Sequence, residues 1–112
     1  MIARVMMVNG GKDRAAAEAA ARNVRQQAIP ELERAPGFRG GYWLHDPETG
    51  TVMSVVLWDG APNADHFEEC IRAQRWAAIA ELGTYVTSVV GYDVIAQADD
   101  FALTAYTTGG AA

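Results

Sequence analysis

Positive charge, cysteine and long apolar runs are all scarce in this chain. Among its 112 residues, 9 are Lys or Arg and 14 are Asp or Glu, which gives a formal net charge of −5. Nucleic-acid and anionic-lipid surfaces need clustered basic side chains, so neither partner is expected. Cys70, the single cysteine, cannot form an internal disulfide and is expected to be a small buried side chain. No apolar run approaches the roughly 20 residues of a membrane-spanning helix, so no membrane partner is expected either.

The composition is that of one globular domain. Half of the residues are apolar, so a chain of this length can bury a core without help from a metal or a disulfide. No charged segment followed by an apolar one opens the sequence, and we therefore expect a cytoplasmic protein in a reducing compartment. A small neutral or apolar ligand, or another protein, fits this composition as a partner.

The first third of the chain predicts a strand followed by an interrupted helix. Residues 2–8 form a mostly apolar run that the stretch 9–11 ends, as in a buried strand and its turn. A helix should begin after Asp13, a typical N-cap, and Pro30 should kink it near Ile29. Its apolar stripe recurs every three or four residues and comprises Ala17, Ala21, Val24, Ala28 and Leu32.

The remainder of the chain predicts a hairpin, a second helix and a last strand. Residues 38–45 and 51–59 have the pattern of two strands joined by the turn 46–50. A second helix is expected over 61–82 and a strand over 86–96. The order strand, helix, strand, strand, helix, strand favours an α+β fold, a ferredoxin-like βαββαβ antiparallel sheet with both helices on one face.

The third strand is apolar on both of its faces. Val52, Val56 and Trp58 alternate along it with Met53, Val55 and Leu57. Two helices cover only one face of such a sheet, so the other face needs a second cover. A homodimer that packs sheet against sheet supplies this cover, and we expect that assembly.

The hairpin region carries a resemblance to a known family. The motif 36–40, Pro-Gly-Phe-Arg-Gly, and the strand end 57–59, Leu-Trp-Asp, which leads directly into the second helix, resemble the antibiotic biosynthesis monooxygenase family of dimeric α+β barrels. The likeness spans residues 2–96, which implies one domain over 1–96 and a partly flexible tail over 97–112. It also implies a homodimer with a small cavity between the helices and the sheet of each protomer.

The resemblance implies oxygen chemistry without a cofactor. Some members of the family oxidise polyphenolic or anthrone-like substrates with molecular oxygen and no metal or flavin, others degrade haem, and many have no assigned activity. The haem-degrading members have an asparagine in the first strand, a tryptophan early in the second helix and an iron-binding histidine further along it. Arg4, Phe67 and Trp76 stand at these positions here. Haem degradation is therefore a minor alternative, and no metal or cofactor is expected.

Three polar side chains are candidates for catalysis: Arg4, His66 and Tyr92. Arg4 interrupts a strand that should be central, so it must form an ion pair, with Asp93 as the expected neighbour, or bind an anionic ligand. His66 could act as a base near neutral pH, although a histidine there is more commonly an exposed polar residue. Tyr92 could donate a hydrogen bond to a phenolate or simply pack.

Four aromatic side chains are candidates for substrate binding: Trp43, Trp58, Phe67 and Trp76. Trp58 ends the third strand, where its ring either packs in the core or forms a cavity wall. Trp76 turns away from the apolar stripe of a continuous helix, so it meets the partner subunit or the cavity mouth unless the helix breaks. Tyr42 and Trp43 point to opposite faces of the second strand, so only one of them lines a cavity.

The sequence supports two hypotheses for function. The first is a cofactor-independent monooxygenase that acts on a small electron-rich aromatic substrate, and it predicts a closed apolar cavity of roughly 300 Å³ or more on which Arg4, His66 and Tyr92 converge. The second is a non-catalytic dimeric ligand-binding or accessory protein, in which those polar groups pair or point outward. A cavity filled by Met6, Phe67 and Trp76 would exclude the first hypothesis.

Overall fold

Four strands form one antiparallel sheet, in the order β2-β3-β1-β4 that the ferredoxin-like prediction requires. A computed structural model describes the backbone of residues 1–81 and 85–98 and the side chains of 1–72 and 88–98. The strands are β1, Ile2–Asn9; β2, Phe38–His45; β3, Thr51–Trp58; and β4, Tyr85–Asp93. The prediction that the last strand continues to Ala96 is wrong, because its partner β1 begins at Ile2, opposite Asp93.

Helical segments connect the strands on one side of the sheet. The first connection contains α1, Arg14–Asn23, a π-helical segment, Val24–Ala28, and α2, Ile29–Glu33; the second contains α3, Ala61–Glu81. The carboxylate of Asp13 accepts a hydrogen bond of 2.7 Å from the N–H of Ala16, which confirms Asp13 as the N-cap of α1. Within the described residues, no helix is long and apolar enough to cross a membrane.

The predicted kink near Pro30 is a widened helical turn. Pro30 has no N–H to donate to the carbonyl of Gln26, so the α-helical pattern of hydrogen bonds cannot continue through it. Just before this proline, the N–H of Ile29 donates to the carbonyl of Val24, five residues earlier, which is the hydrogen bond of a π-helix. Such single π-helical turns are frequent at functional sites.

The turn before β2 holds the start of α3 in place. Gly37 has a φ of +82°, and its carbonyl accepts a hydrogen bond of 2.9 Å from the N–H of Asp59. The carboxylate of Asp59 in turn accepts a hydrogen bond of 3.0 Å from the side-chain amide of Asn63. A Cβ at Gly37 would collide with both of these side chains, so the position needs glycine for space as well as for its φ.

The helices cover one face of the sheet, and the core lies at one end of that face. Met6, Ser54 and Trp43 lie side by side across β1, β3 and β2 beneath the helices. The buried core cluster comprises Leu32, Val56, Trp58 and Ala64. These residues come from α2, from the end of β3 and from the start of α3, so the core is concentrated where the three elements meet.

The other face of the sheet, which we call the outer face, is open in a single chain. Its large exposed side chains are Tyr42, Leu44, Val90 and Tyr92. They come from β2 and β4, the two edge strands, so the apolar surface extends across the whole width of the sheet. A broad apolar surface of this kind is typical of an interaction site.

Candidate functional site

A cavity of about 320 Å³ lies between the first helical connection and the sheet. We call it the helix–sheet cavity, and its sheet wall consists of Met6, Val8, Trp43, Val52, Ser54 and Val56. Its helical wall consists of Ala16, Ala19, Ala20, Asn23, Val24, Gln27, Ala28, Glu31 and Leu32. Gly10, Gly11, Phe67 and Ile71 complete the lining. The volume lies at the lower end of the range for small-molecule sites, roughly 300–1,000 Å³.

Small side chains on α1 create this space. The residues that α1 turns toward the cavity are mostly alanines, each of which fills the gap to the sheet with only one methyl group. Of the apolar stripe predicted from the sequence, Val24, Ala28 and Leu32 line the cavity, whereas Ala17 and Ala21 are not among its lining residues. Only Leu32, at the end of the stripe, is buried in the core. Met6 and Phe67 stand in the wall rather than filling the space, whereas the side chain of Trp76, the third residue expected to fill the cavity if no ligand binds there, lies outside the described residues.

Asn23, Gln27 and Glu31 give the cavity a polar edge, which we call the polar row. They are four residues apart and follow one side of the helix from α1 through the π-helical segment into α2. Gln27 and Glu31 are exposed, so the cavity opens to solvent here and the prediction of a closed cavity is wrong. The sequence analysis did not identify this row. The pattern that could have indicated it is a set of polar residues four positions apart beside a helix rich in alanine.

Arg4 binds two carboxylates of α3. Its Nη2 lies 2.6 Å from Oδ1 of Asp65, and its Nη1 lies 3.5 Å from Oε2 of Glu68. The prediction of Asp93 as the partner is wrong, because the register places Asp93 two residues beyond the position opposite Arg4, whereas α3 brings its carboxylates over the Arg4 side chain. The ion pair borders a separate void of about 30 Å³, which is too small for an aromatic substrate.

His66 and Tyr92 lie outside the helix–sheet cavity. His66 is exposed on α3, where its Nε2 lies 3.7 Å from Sγ of Cys70, which is also exposed rather than buried as predicted. Tyr92 is 54% exposed and lies on the outer face. The predicted convergence of Arg4, His66 and Tyr92 on one cavity is therefore wrong. Strand alternation turns Tyr92 away from the helices, and the helical repeat turns His66 away from its neighbour Phe67, which does line the cavity.

Two of the four aromatic side chains predicted to bind substrate, Trp43 and Phe67, line the cavity. Trp58 is 1% exposed and packs behind this wall, with its ring centroid 5.2 Å from that of Phe67 and 6.0 Å from that of Phe38. It is thus a core side chain that supports the wall. Trp76 belongs to α3, and its side chain lies outside the described residues. The binding roles of these aromatic residues stay predictions, as do the catalytic roles above.

Glu31 is the one charged side chain among the described lining residues of the cavity. The other polar side chains there are the amides of Asn23 and Gln27, the hydroxyl of Ser54 and the indole N–H of Trp43. Together these groups can donate hydrogen bonds to a ligand oxygen, accept them from a ligand hydroxyl, and take up a proton. In the described part of the chain, no three His, Cys, Asp or Glu side chains lie close enough together to hold a metal ion.

Solved structures of antibiotic biosynthesis monooxygenases have this fold. A Deinococcus radiodurans protein provisionally given that name matches with a TM-score of 0.67 and 13% identity over 88% of this chain and 97% of its own. A Bordetella bronchiseptica protein with the same provisional name matches with a TM-score of 0.62 and 20% identity, over 85% and 97% of the two chains. A variant of MhuD with two manganese protoporphyrin IX molecules bound per active site matches with a TM-score of 0.62 and 15% identity, over 88% and 99%.

No protein-family model and no curated protein sequence matches the chain. The identities of the structural matches are low, and what they share with this chain is the fold. The chain is therefore an α+β protein with the fold of the antibiotic biosynthesis monooxygenases, and the resemblance carried by its hairpin motifs is confirmed at that level.

Proposed function

We propose that this chain is a monooxygenase of the antibiotic biosynthesis type that oxidises a small electron-rich aromatic substrate, a polyphenol or an anthrone, without a cofactor. The observation that carries the proposal is the helix–sheet cavity, which has a volume of about 320 Å³, a mostly apolar lining and two aromatic side chains in its wall. The solved structures that share the fold and are named as monooxygenases support the same class of reaction.

In this proposal the substrate itself supplies the electrons that reduce oxygen. The methylene carbon of an anthrone loses two hydrogens, one oxygen atom becomes the new carbonyl, and the second oxygen atom leaves with the two hydrogens as water. The first step removes a proton from the substrate and makes it a better electron donor. Glu31 is the proposed acceptor of this proton, and the amides of Asn23 and Gln27 would donate hydrogen bonds to the substrate oxygen as it gains negative charge.

Oxygen uptake on anthrone, measured with a metal chelator present, tests this function. The wild type should consume oxygen faster than the spontaneous reaction does. Ala20→Phe fills the cavity and should reduce the rate to the spontaneous one, whereas Ala15→Phe, at an exposed position of the same helix, should keep the wild-type rate. Equal uptake by the wild type and Ala20→Phe would contradict the proposal. Loss of uptake in the double variant His66→Ala, Tyr92→Phe would support the catalytic roles predicted for those two residues.

A non-catalytic ligand-binding or accessory protein is the second candidate, and two observations favour it. Arg4 is paired with Asp65 and Glu68, and Tyr92 lies on the outer face, as that hypothesis predicts for polar groups without a catalytic role. Oxygen uptake and ligand binding, measured together, separate the two candidates. An accessory protein should bind an aromatic ligand in the cavity, and Ala20→Phe should block this binding, but the protein should consume no oxygen above the spontaneous rate.

Haem binding is the minor alternative. The likeness to the porphyrin-bound MhuD variant supports it, whereas the described lining of the helix–sheet cavity contains no histidine. Titration with haemin, followed by the Soret absorbance, tests it directly. A saturable change that Ala20→Phe abolishes and Ala15→Phe retains would favour this alternative over the oxidation of anthrones.

We further propose that the chain forms a homodimer through its outer face. The apolar side chains there lie on β2 and β4, and a second copy of the same sheet would cover them. The cavity lies on the other side of the sheet, so dimerisation would leave its opening along the polar row free. The cytoplasmic location expected from the sequence stays a prediction that cell fractionation can test.

A further inference from the structure

The charge of the helix–sheet cavity is set by one residue. Glu31 is the one ionisable side chain among the described lining residues, and none of these carries a positive charge. Two arginines are close to the cavity, but neither is among its lining residues. Arg34 lies 3.4 Å from Glu31 and offsets part of its charge, but Arg34 is 71% exposed and lies outside the wall, whereas Glu31 is 45% exposed and lines the cavity. A ligand in the cavity therefore meets the carboxylate rather than the guanidinium. Arg4, beside the adjoining void, is held by two carboxylates.

We propose that the helix–sheet cavity selects uncharged, hydroxyl-bearing aromatic ligands and rejects aromatic carboxylates, and that Glu31 is the residue that determines this selectivity. The inference names the substrate class of the site proposed above and rests on that site being where the ligand binds. It does not require that the ligand be oxidised. A porphyrin with two carboxylate side chains belongs to the rejected class.

The shape of the polar row supports this class of ligand. Asn23 and Glu31 are eight residues apart, and at 1.5 Å per residue the row is about 12 Å long. The opposite wall is formed mainly by the apolar side chains of β1 and β3. A flat fused-ring molecule with one edge along the row would bring its hydroxyl groups to Glu31, to which they can donate, and to the amides of Asn23 and Gln27.

The size of the expected discrimination follows from Coulomb's law. A ligand carboxylate within about 7 Å of Glu31 is repelled enough to weaken its binding about fivefold, at a dielectric constant intermediate between protein and water. The carboxylate also gains no compensating cation from the described lining. A ligand hydroxyl suffers no such repulsion and can donate a hydrogen bond to Glu31.

Calorimetric titration with a naphthalenediol and with the naphthalenedicarboxylate of the same substitution pattern tests the proposal at neutral pH. The wild type should bind the diol at least about fivefold more tightly than the dicarboxylate. Glu31→Gln should tighten binding of the dicarboxylate about fivefold and thus remove most of the difference. Glu33→Gln is the matched control, because Glu33 is exposed on the same helix and does not line the cavity, and it should leave the ratio unchanged.

The proposal is overturned if the wild type binds both molecules equally well, if it binds neither, or if Glu31→Gln and Glu33→Gln have the same effect. These outcomes are distinguishable from failure of the proposed oxidation, because the titration involves no oxygen chemistry. If the protein selects against the dicarboxylate but consumes no oxygen, the inference about Glu31 stands and the proposed monooxygenase activity is refuted. If it consumes oxygen in a way that Ala20→Phe abolishes but does not select against the dicarboxylate, the activity stands and the inference is refuted.

Discussion

The guanidinium of Arg4 lies 2.6 Å from the carboxylate of Asp65, although the two residues are 61 positions apart in the sequence. Glu68 approaches the same guanidinium at 3.5 Å. A cation in a central strand of the sheet is thus compensated by two acidic groups of the helix that crosses it. The arrangement accounts for Arg4 without any ligand.

Arg4→Met should therefore lower the stability of the protein modestly and leave ligand binding unchanged. We expect the free energy of unfolding in urea to fall by about 1 kcal/mol, because the pair is partly exposed and methionine retains part of the apolar contact. Arg14→Met removes the exposed pair with Glu18 and should cost only about 0.3 kcal/mol. A folded Arg4→Met protein that no longer binds the naphthalenediol would show that Arg4 does serve the ligand.

Gly37→Ala should destabilise the protein by about 1–3 kcal/mol, because alanine is strained at a positive φ and has no space there. Its Cβ would collide with Asp59 and Asn63 at the start of α3. Gly60→Ala is the matched control, since its Cβ would come no closer than 3.7 Å to a neighbouring atom. Urea denaturation of both variants measures the difference, and equal stabilities would refute the structural role given to Gly37.

Asp46 should contribute to the dependence of stability on pH. The N–H of Glu48 donates a hydrogen bond to the carboxylate of Asp46. This hydrogen bond lowers the pKa of Asp46 in the folded protein from the ordinary value of 3.8. The stabilisation is present above the unfolded pKa and is lost as the pH falls through the lower folded pKa. Melting temperatures between about pH 2 and pH 6 should fall less steeply with acid in Asp46→Asn than in the wild type. Parallel curves would contradict this account.

The outer face should determine whether the protein is a dimer or a monomer in solution. A homodimer of two 12.0-kDa chains has a mass of 24.0 kDa, which light scattering after size exclusion can measure. Leu44→Lys should shift this mass to 12.0 kDa, because a charge buried in the interface without a partner is strongly unfavourable. Ala15→Lys, an exposed change on α1, should remain dimeric. A wild-type mass of 12.0 kDa would remove the proposed interface.

Those features that depend on neighbouring residues could be predicted from the sequence. The N-cap at Asp13, the break at Pro30 and the turn 46–50 each act within a few positions, through one hydrogen bond, one missing N–H or one backbone angle. Alternation along β2 likewise placed Tyr42 and Trp43 on opposite faces. From these signals the order of elements and the ferredoxin-like sheet follow.

The features that sequence patterns missed depend on how distant elements are oriented. Asp65 and Glu68 pair with Arg4, and Cys70 is exposed, because of the rotation of α3 about its own axis. The polar row forms one edge of a cavity because the alanines of α1 leave a gap above the sheet.

The sequence by itself therefore determined the elements, their order and the fold, since those are governed by local hydrogen bonds, turn geometry and strand alternation. Only the tertiary structure decided which polar groups meet and where the cavity lies. The rotation of a helix about its axis and the distance between the helices and the sheet depend on the packing of side chains that are far apart in the chain. Patterns of neighbouring residues in the sequence therefore do not predict them.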